Sequence, residues 1–125
     1  MISIIKPIDF SLISLYVYSA KKEGLVFSKS TKLYGLFMDD NLIAFTGIQF
    51  YKNKAVFKNH YVSPLHRGKG YFKQLFNYSL VVVKSKGINI VEATCTNMSI
   101  KHYLNNGFRV IKEYKNYTKV KNENI

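Results

Sequence analysis

One segment separates a β-rich run from a helical pattern: Val62-Ser63-Pro64-Leu65-His66-Arg67-Gly68-Lys69-Gly70. The β-rich run comes before it and the helical pattern follows it. Glycines at a strand-to-helix turn permit a tight backbone, and the free N–H groups of the helix N-terminus then point outward. Such a turn favours an anion, and a pyrophosphate suits it. Arg67 and Lys69 add positive charge at the same place. Taken alone, the segment leaves a phosphate site and an ordinary helix-capping loop as open alternatives.

Strand patterns dominate the chain upstream of this segment. β-rich runs at residues 2–5, 32–38, 42–50 and 55–62 predict four strands, and Pro7 is expected to end the first. A short helix capped by Asp9 or Ser11 is expected to follow the first strand. Asp39-Asp40-Asn41 predicts a hairpin turn between the second and third strands. The last three of these strands are therefore expected to be antiparallel.

Helix and strand patterns alternate downstream. Apolar residues recur at helical spacing until Gly87 ends the predicted helix, at Phe72, Leu75, Phe76, Leu80 and Val83. Residues 88–95 predict a buried strand, 97–106 a short helix, and 109–114 with 117–120 a closing hairpin, while 121–125 is expected to fray. The order β-α-β-β-β-α-β-α-β-β predicts an α/β fold with a mixed sheet of about seven strands flanked by helices, in one domain over residues 1–125. Strands four and five are expected to be parallel neighbours.

Composition narrows the class of protein. The chain has 125 residues, 47% hydrophobic and 21% charged, which is typical of a globular domain. It has no apolar run of about 18 residues and only a short apolar opening, so we expect no membrane association and a cytoplasmic location. The single Cys95 excludes an internal disulfide, and His66 and His102 have no ligand partners at metal-binding spacing. No metal is expected.

The positive charge permits two interpretations. Nineteen Lys and Arg residues against seven Asp and Glu give a net charge of +12, which would attract nucleic acid or a phosphate-bearing cofactor. Seventeen of the nineteen are Lys, and the chain is also rich in Asn, Ile, Tyr and Phe. An A/T-rich genome would produce the same excess without any selection for binding. Nucleic acid is therefore a possible partner.

Two motifs carry a resemblance to a known family. The segment at Arg67 to Gly70 resembles the acetyl-coenzyme A loop of the GNAT superfamily of N-acetyltransferases, whose pattern is Arg/Gln-x-x-Gly-x-Gly/Ala. Tyr103-Leu104-Asn105-Asn106-Gly107-Phe108 is similar to the family's Tyr-x-x-x-Gly-Phe. The strand order matches the family over nearly the full length. The resemblance implies the GNAT fold and an acetyl-CoA-dependent acyltransferase.

The resemblance also implies where acetyl-CoA would bind. In the family the fourth and fifth strands separate, and the pantetheine arm pairs with the fourth like an added strand. The residues expected to bind the cofactor are Tyr61, Val62, Arg67, Gly68, Lys69, Gly70, Tyr71 and Asn97. Two positions depart from the family pattern. Phe72 stands where Gly or Ala is usual, so its ring is expected to point into the core, and the usual Asn is Thr96 here, with Asn97 displaced by one.

Catalytic roles follow from the same resemblance. A backbone N–H near Val62 would stabilise the oxyanion, and Tyr103 would protonate the departing thiolate. Tyr103 also fits an aromatic packing role at the sheet. Glu92 and His60 are candidates for the general base, although Glu92 fits an ion pair with Lys and His60 a hydrogen-bonded sheet histidine. A chain of water molecules is the other option, and Cys95 fits a small core residue near the acyl site.

The function expected first is transfer of an acetyl group to a primary amine on a small molecule or a protein. The acceptor pocket would be framed by residues 15–27 and 113–118, which include Tyr16, Tyr18, Tyr114 and Tyr117. A polyanionic acceptor would gather lysines on that side, and those available are Lys21, Lys22, Lys29, Lys112 and Lys115. The alternatives are a DNA-base-modifying enzyme like the phage Mom type and a catalytically silent module that binds coenzyme A or nucleic acid. Both a monomer and a homodimer are open.

Overall fold

A computed structural model describes residues 3–13, 22 and 30–125 of the chain. These residues form a seven-stranded mixed sheet with two α-helices, and this confirms the predicted α/β class. The strands are β1 Ser3–Ile8, β2 Lys32–Met38, β3 Asn41–Phe50, β4 Ala55–Val62, β5 Val91–Cys95, β6 Arg109–Glu113 and β7 Thr118–Asn122. The helices are α1 Tyr71–Ser85 and α2 Ile100–Asn105, with 3-10 turns at Phe10–Ile13 and Pro64–His66.

Strands β1 to β4 form an antiparallel meander. Asp39 and Asp40 at the β2–β3 turn both have positive φ, 48° and 69°, as the predicted tight hairpin requires. Pro7 does not end β1, contrary to expectation, but lies within it opposite Tyr34. Because β1 is the edge of the sheet, a proline that lacks an N–H can face away from the ladder there.

The first predicted helix is described only at its start. A 3-10 turn spans Phe10–Ile13, and the side chain of Ile13 is buried against the sheet. The remaining residues of that prediction, together with Tyr16, Tyr18, Lys21 and Lys29, lie outside the described residues. Lys22 is described and exposed.

Helix α1 connects β4 to β5, which pair in parallel as predicted. Its buried residues Leu75, Phe76 and Val83 follow the spacing read from the sequence, and Gly87, with φ 73°, lies just beyond its end. Phe76 and Val83 pack on one face of the sheet with Phe57 and residues of β5 and β7. This packing holds the start of α1 beside the end of β4.

The C-terminal part differs from the prediction in three places. Strand β5 begins at Val91 rather than at residue 88, and helix α2 begins at Ile100 rather than at residue 97. The tail does not fray, because residues 121 and 122 belong to β7 and the N–H of Ile125 donates to the carbonyl of Asn89 at 3.1 Å. The sheet order β1-β2-β3-β4-β5-β7-β6 places β7 between β5 and β6.

Strands β4 and β5 separate after only three registered pairs, Ala55 with Val91, Val56 with Glu92 and Phe57 with Ala93. Beyond Phe57, β4 continues to Val62 while paired with β3 alone among the described strands. Over its last residues, the backbone edge of β4 that faces β5 therefore has no strand partner in the described part of the chain, and it is called the open edge below.

Candidate active site

The turn before α1 has the geometry of an anion cradle. Gly68 and Gly70 have φ of 76° and 85°, a region that other residues rarely adopt, and Gly70 is the N-cap of α1. A Cβ built on either glycine would meet no heavy atom within 4 Å, so the described residues leave the space next to both glycines open. The first N–H groups of α1 have no partner within the helix, and the helix dipole favours negative charge there.

Arg67 ties this turn to the end of β4. Its Nε donates to the carbonyl oxygen of Val62 at 2.8 Å, and its guanidinium carbon lies 5.3 Å from the ring centroid of Tyr61. Lys69 is exposed beside it, and Tyr71 begins the helix with its ring 6.3 Å from that of His66. The loop therefore brings together the predicted residues of the turn and of the β4 end.

The end of β4 carries a β-bulge. Gly47 of β3 opposes Lys58, and Phe45 opposes Tyr61, so two residues of β4 stand opposite the single residue Thr46. In a regular strand, residues three apart point to opposite faces of the sheet. The extra residue lets the rings of both Phe57 and His60 pack toward α1. Tyr61 and Val62 then continue the open edge, and both side chains are buried.

Tyr103 lies in an aromatic cluster on the α1 side of the sheet. Its side chain is 3% exposed, and its ring centroid lies 5.3 Å from Phe76 and 5.1 Å from Phe108. Burial, and next the nearby Cys95, raise the pKa of Tyr103 far above its ordinary value. The phenol is therefore protonated at neutral pH, as a proton donor must be. Cys95 is itself buried, as expected, and its Sγ lies 3.4 Å from the carbonyl of Thr118.

His60 is enclosed within the same cluster. The Oγ1 of Thr46 lies 3.0 Å from its Nδ1 and 2.9 Å from its Nε2, and its ring centroid lies 4.9 Å from that of Phe72. Burial, and next the charge of His102, lower the pKa of His60 to about 3. A base with this pKa is a weak proton acceptor near neutral pH. Of the two interpretations of His60 given above, these contacts favour the hydrogen-bonded sheet histidine over the general base.

Glu92 lies at the other end of the β4–β5 pair, where the strands are still joined. Its carboxylate is 3.2 Å from the Nζ of Lys54, 3.5 Å from Lys119 and 3.9 Å from Lys121. Burial alone would raise the pKa of Glu92, but the hydrogen bond and charge of Lys54, together with Lys119, lower it on balance. Its neighbours Val91 and Ala93 face α1, so Glu92 points to the opposite face from His60 and Tyr103.

Two further positions complete the predicted set. The ring of Phe72 contacts His60, His102 and Phe76, so it points into the cluster as expected and leaves the turn open. Asn97 is exposed in the turn between β5 and α2.

The sequence did not indicate the partnership of Thr46 with His60 or the place of His102 in the cluster. The Nε2 of His102 is buried with no hydrogen-bond partner in the described structure, and burial followed by the charge of Lys73 lowers the pKa of this histidine. Only the register of β3 against β4 and the packing of α2 bring these residues together. No spacing in the chain signals either contact.

The described residues do not meet the requirements of a metal site with three or more ligands or of a membrane-spanning helix. The described residues include no group of three or more His, Cys, Asp or Glu side chains placed to hold a metal ion. No helix in the described part of the chain combines the length and apolar character that a membrane span needs.

A sequence model of the Acetyltransferase (GNAT) family matches residues 8–108. The chain belongs to the GNAT acetyltransferase family. This match covers most of the chain and confirms the resemblance read from the turn at Gly70 and the segment at Tyr103. Among curated proteins, no sequence is significantly similar to this GNAT chain.

Solved structures share the GNAT fold over nearly the whole chain. The PaiA N-acetyltransferase of Thermoplasma acidophilum, solved with coenzyme A, is 18% identical with a TM-score of 0.81, covering 98% of this chain and 99% of its own. A GNAT acetyltransferase of Elizabethkingia anophelis with acetyl-CoA bound is 14% identical, with a TM-score of 0.73 and 97% of each chain covered. The ribosomal-protein-S18-alanine N-acetyltransferase of Escherichia coli is 13% identical, with a TM-score of 0.75, covering 96% of this chain and 91% of its own. At these identities the likeness shows the fold.

Proposed function

We propose that this GNAT protein transfers an acetyl group from acetyl-CoA to a primary amine. The observation that carries the proposal is the open edge of β4 beyond Phe57, which leads directly to the glycine turn at the N-terminus of α1. An extended ligand arm with an anionic end fits such an arrangement, because backbone groups can pair with the arm while N–H groups receive the anion. Family membership supports the same cosubstrate.

In this proposal the turn holds the pyrophosphate. The open space at Gly68 and Gly70 admits phosphate oxygens close to the backbone, and the exposed Lys69 adds charge without blocking that space. The side chain of Arg67 braces the turn against Val62, so its role is to fix the position of the loop as well as to add charge. Tyr71 would contribute its backbone N–H at the start of α1.

The reactive end of the ligand would lie in the gap between β4 and β5. The backbone of Tyr61 and Val62 is proposed to pair with the pantetheine arm, and an N–H near Val62 to stabilise the oxyanion. When bound, acetyl-CoA supplies the thioester carbonyl that the amine attacks. The C–N bond forms, the C–S bond breaks, and Tyr103 donates its phenolic proton to the leaving sulfur. The raised pKa of Tyr103 keeps its phenol protonated and argues against a role as base, while its place in the family motif supports the donor role.

The proposed mechanism uses neither predicted base. The low pKa of His60 and its enclosure by aromatic rings disfavour it, and the three lysines around Glu92 occupy that carboxylate. We propose instead that the acceptor amine enters unprotonated and that, after attack, its nitrogen releases one proton to water, from which Tyr103 recovers the proton that it gave to the sulfur. This step needs no side chain as base. The rate of transfer should then rise with the fraction of unprotonated amine as the pH increases.

Tyr103→Phe tests the proposal, with Tyr51→Phe as the matched control. Purified protein is incubated with acetyl-CoA and a panel of amines, while free thiol and the mass of each amine are measured. Tyr103→Phe keeps the buried ring and should lower turnover roughly ten- to a thousand-fold, as expected for loss of a proton donor. Tyr51 is 47% exposed at the β3–β4 turn, so its variant should match the wild type.

Three results would contradict the proposal or part of it. Absence of transfer to any amine, with coenzyme A still bound, would indicate a silent binding module. Transfer only to a nucleic acid base would indicate the base-modifying alternative. Unchanged turnover in Tyr103→Phe would remove this tyrosine from the mechanism and leave the rest of the proposal standing.

A further inference from the structure

Two tyrosines form an exposed stack at the tip of the β6–β7 hairpin. The ring centroids of Tyr114 and Tyr117 are 4.5 Å apart with an angle of 25° between the rings. The N–H of Tyr114 donates to the carbonyl of Tyr117 at 2.8 Å, which closes the hairpin beneath the rings. The two residues are 40% and 43% exposed. The outer faces of two stacked rings that are exposed to solvent in this way are available to another flat ring.

The hairpin is also strongly basic. Residues 109–122 contain five Lys and Arg and a single carboxylate, Glu113. Arg109, Lys119 and Lys121 are ion-paired with carboxylates at Glu92 or Glu123. Within the described part of the chain, Lys112 and Lys115 make no ion pair, and both are exposed.

The uncompensated charge lies next to the stacked rings. Lys112 places its Nζ 5.0 Å from the ring centroid of Tyr114, and Lys115 belongs to the turn between the two tyrosines. A cation beside an aromatic face matches a ligand that carries both a flat ring and a negative charge. A nucleotide has both.

The position of the tip relates it to the candidate active site. Thr118, the first residue of β7, pairs with Cys95, the last residue of β5. Because β4 and β5 are parallel, the tip lies at the same end of the sheet as the open edge of β4. A chain bound to the tip would therefore lie at the same end of the sheet as the gap between β4 and β5.

We propose that the hairpin tip, Tyr114 to Tyr117 with Lys112, binds single-stranded nucleic acid. Unpaired bases stack on the tyrosine rings, and the adjacent phosphates contact Lys112 and Lys115. Bases inside a duplex do not offer their faces, so a single strand binds more tightly than a duplex of the same sequence. An acidic peptide would satisfy the lysines but would leave the ring faces unused. The proposal concerns binding and does not depend on acetyl transfer.

The β3–β4 turn provides a matched control. Tyr51 is 47% exposed there, and the Nζ of Lys54 lies 5.6 Å from its ring centroid, so a tyrosine and a lysine are again adjacent. This turn precedes β4 and lies at the opposite end of the sheet from the hairpin tip. Lys54 is ion-paired with Glu92, so the control variants there use the exposed Lys52 of the same turn, which offers one tyrosine in place of a stacked pair.

The experiment measures fluorescence anisotropy of labelled single-stranded DNA and RNA oligonucleotides, a matched duplex and an acidic peptide. The double variant Tyr114→Ala with Tyr117→Ala should weaken single-strand binding about five- to a hundred-fold, given the usual contribution of base stacking. Lys112→Ala with Lys115→Ala should reduce the slope of log K against log salt by about 1.4, from about 0.7 for each phosphate contact on a single strand. Tyr51→Ala and Lys52→Ala should change neither quantity.

Other outcomes would overturn the proposal. Equal losses in the hairpin and β3–β4 variants would mean that overall charge alone attracts the ligand. Binding of the duplex or the acidic peptide as tight as that of the single strand would exclude base stacking. If the alanine variant unfolds, Tyr114→Leu with Tyr117→Leu retains apolar packing, and binding at wild-type strength would contradict the proposal. Coenzyme A affinity, measured on the same samples, should be unchanged, which separates this test from the proposed acetyl transfer.

Discussion

Replacing Gly70 by alanine tests the anion cradle with a single methyl group. The added Cβ would extend into the open space above the turn, where the pyrophosphate is proposed to bind. Gly87→Ala is a closely matched control. Gly87 has a φ of 73° against 85° at Gly70, and its Cβ would likewise meet no described atom within 4 Å. It lies at the other end of the same helix, remote from the turn.

The two variants should lose the same stability. An alanine in the left-handed region costs about 1–2 kcal/mol, and the lower entropy of the unfolded chain returns about 0.4–1 kcal/mol. The net loss should be about 1 kcal/mol at either position, since neither Cβ creates a clash. Their affinities for coenzyme A should differ. Loss of one hydrogen bond to a charged phosphate costs about 1.5–3 kcal/mol, which corresponds to roughly ten- to a hundred-fold in affinity.

Urea unfolding and calorimetric titration with coenzyme A measure the two quantities. We expect wild type and Gly87→Ala to bind coenzyme A with equal affinity, and Gly70→Ala to bind it at least ten-fold more weakly, on the basis of one lost contact. Equal affinity in all three proteins would refute the cradle. Weaker binding in both variants would instead attribute the effect to general destabilisation.

Two further predictions concern the residues considered as bases. Because the pKa of His60 falls to about 3 in the folded protein, its contribution to stability is present above pH 6.5 and lost as the pH falls. Lowering the pH from 7 to 5 should therefore cost about 2 kcal/mol through this residue, measured by urea unfolding, and an equally large loss in His60→Phe would contradict the assignment. Glu92→Gln should lower stability by about 1–2 kcal/mol, since its lysine partners are partly exposed, while kcat for any accepted amine stays unchanged. A large fall in kcat would return Glu92 to the mechanism as the base.

Much of the candidate site was predictable because its signals are local. The glycines at 68 and 70 directly precede a helical pattern and so indicate a turn with positive φ, because glycine adopts positive φ without steric cost. The inward direction of Phe72 followed from its phase on α1. The parallel pairing of β4 with β5 followed from the helix between them.

The ends of elements were less predictable, because their energetics depend on neighbouring strands. Pro7 breaks an interior strand but is tolerated at an edge, and no local pattern says that β1 is the edge. The last residues join the sheet because β7 is inserted between β5 and β6. The sequence of the tail does not show which strands lie beside it, so its pairing could not be predicted.

The partners of the titratable groups depend on tertiary structure alone. The types and spacing of Glu92 and His60 made both candidates for a base, and the sequence contained no further information about their surroundings. The β-bulge opposite Thr46 turns His60 into the aromatic cluster, and the lysines of β7 reach Glu92 only because β7 lies beside β5. Local spacing determines helix phase and turn geometry, whereas burial and charge pairing arise from contacts between residues far apart in the chain. Those contacts set the pKa of each group and hence the chemistry open to it.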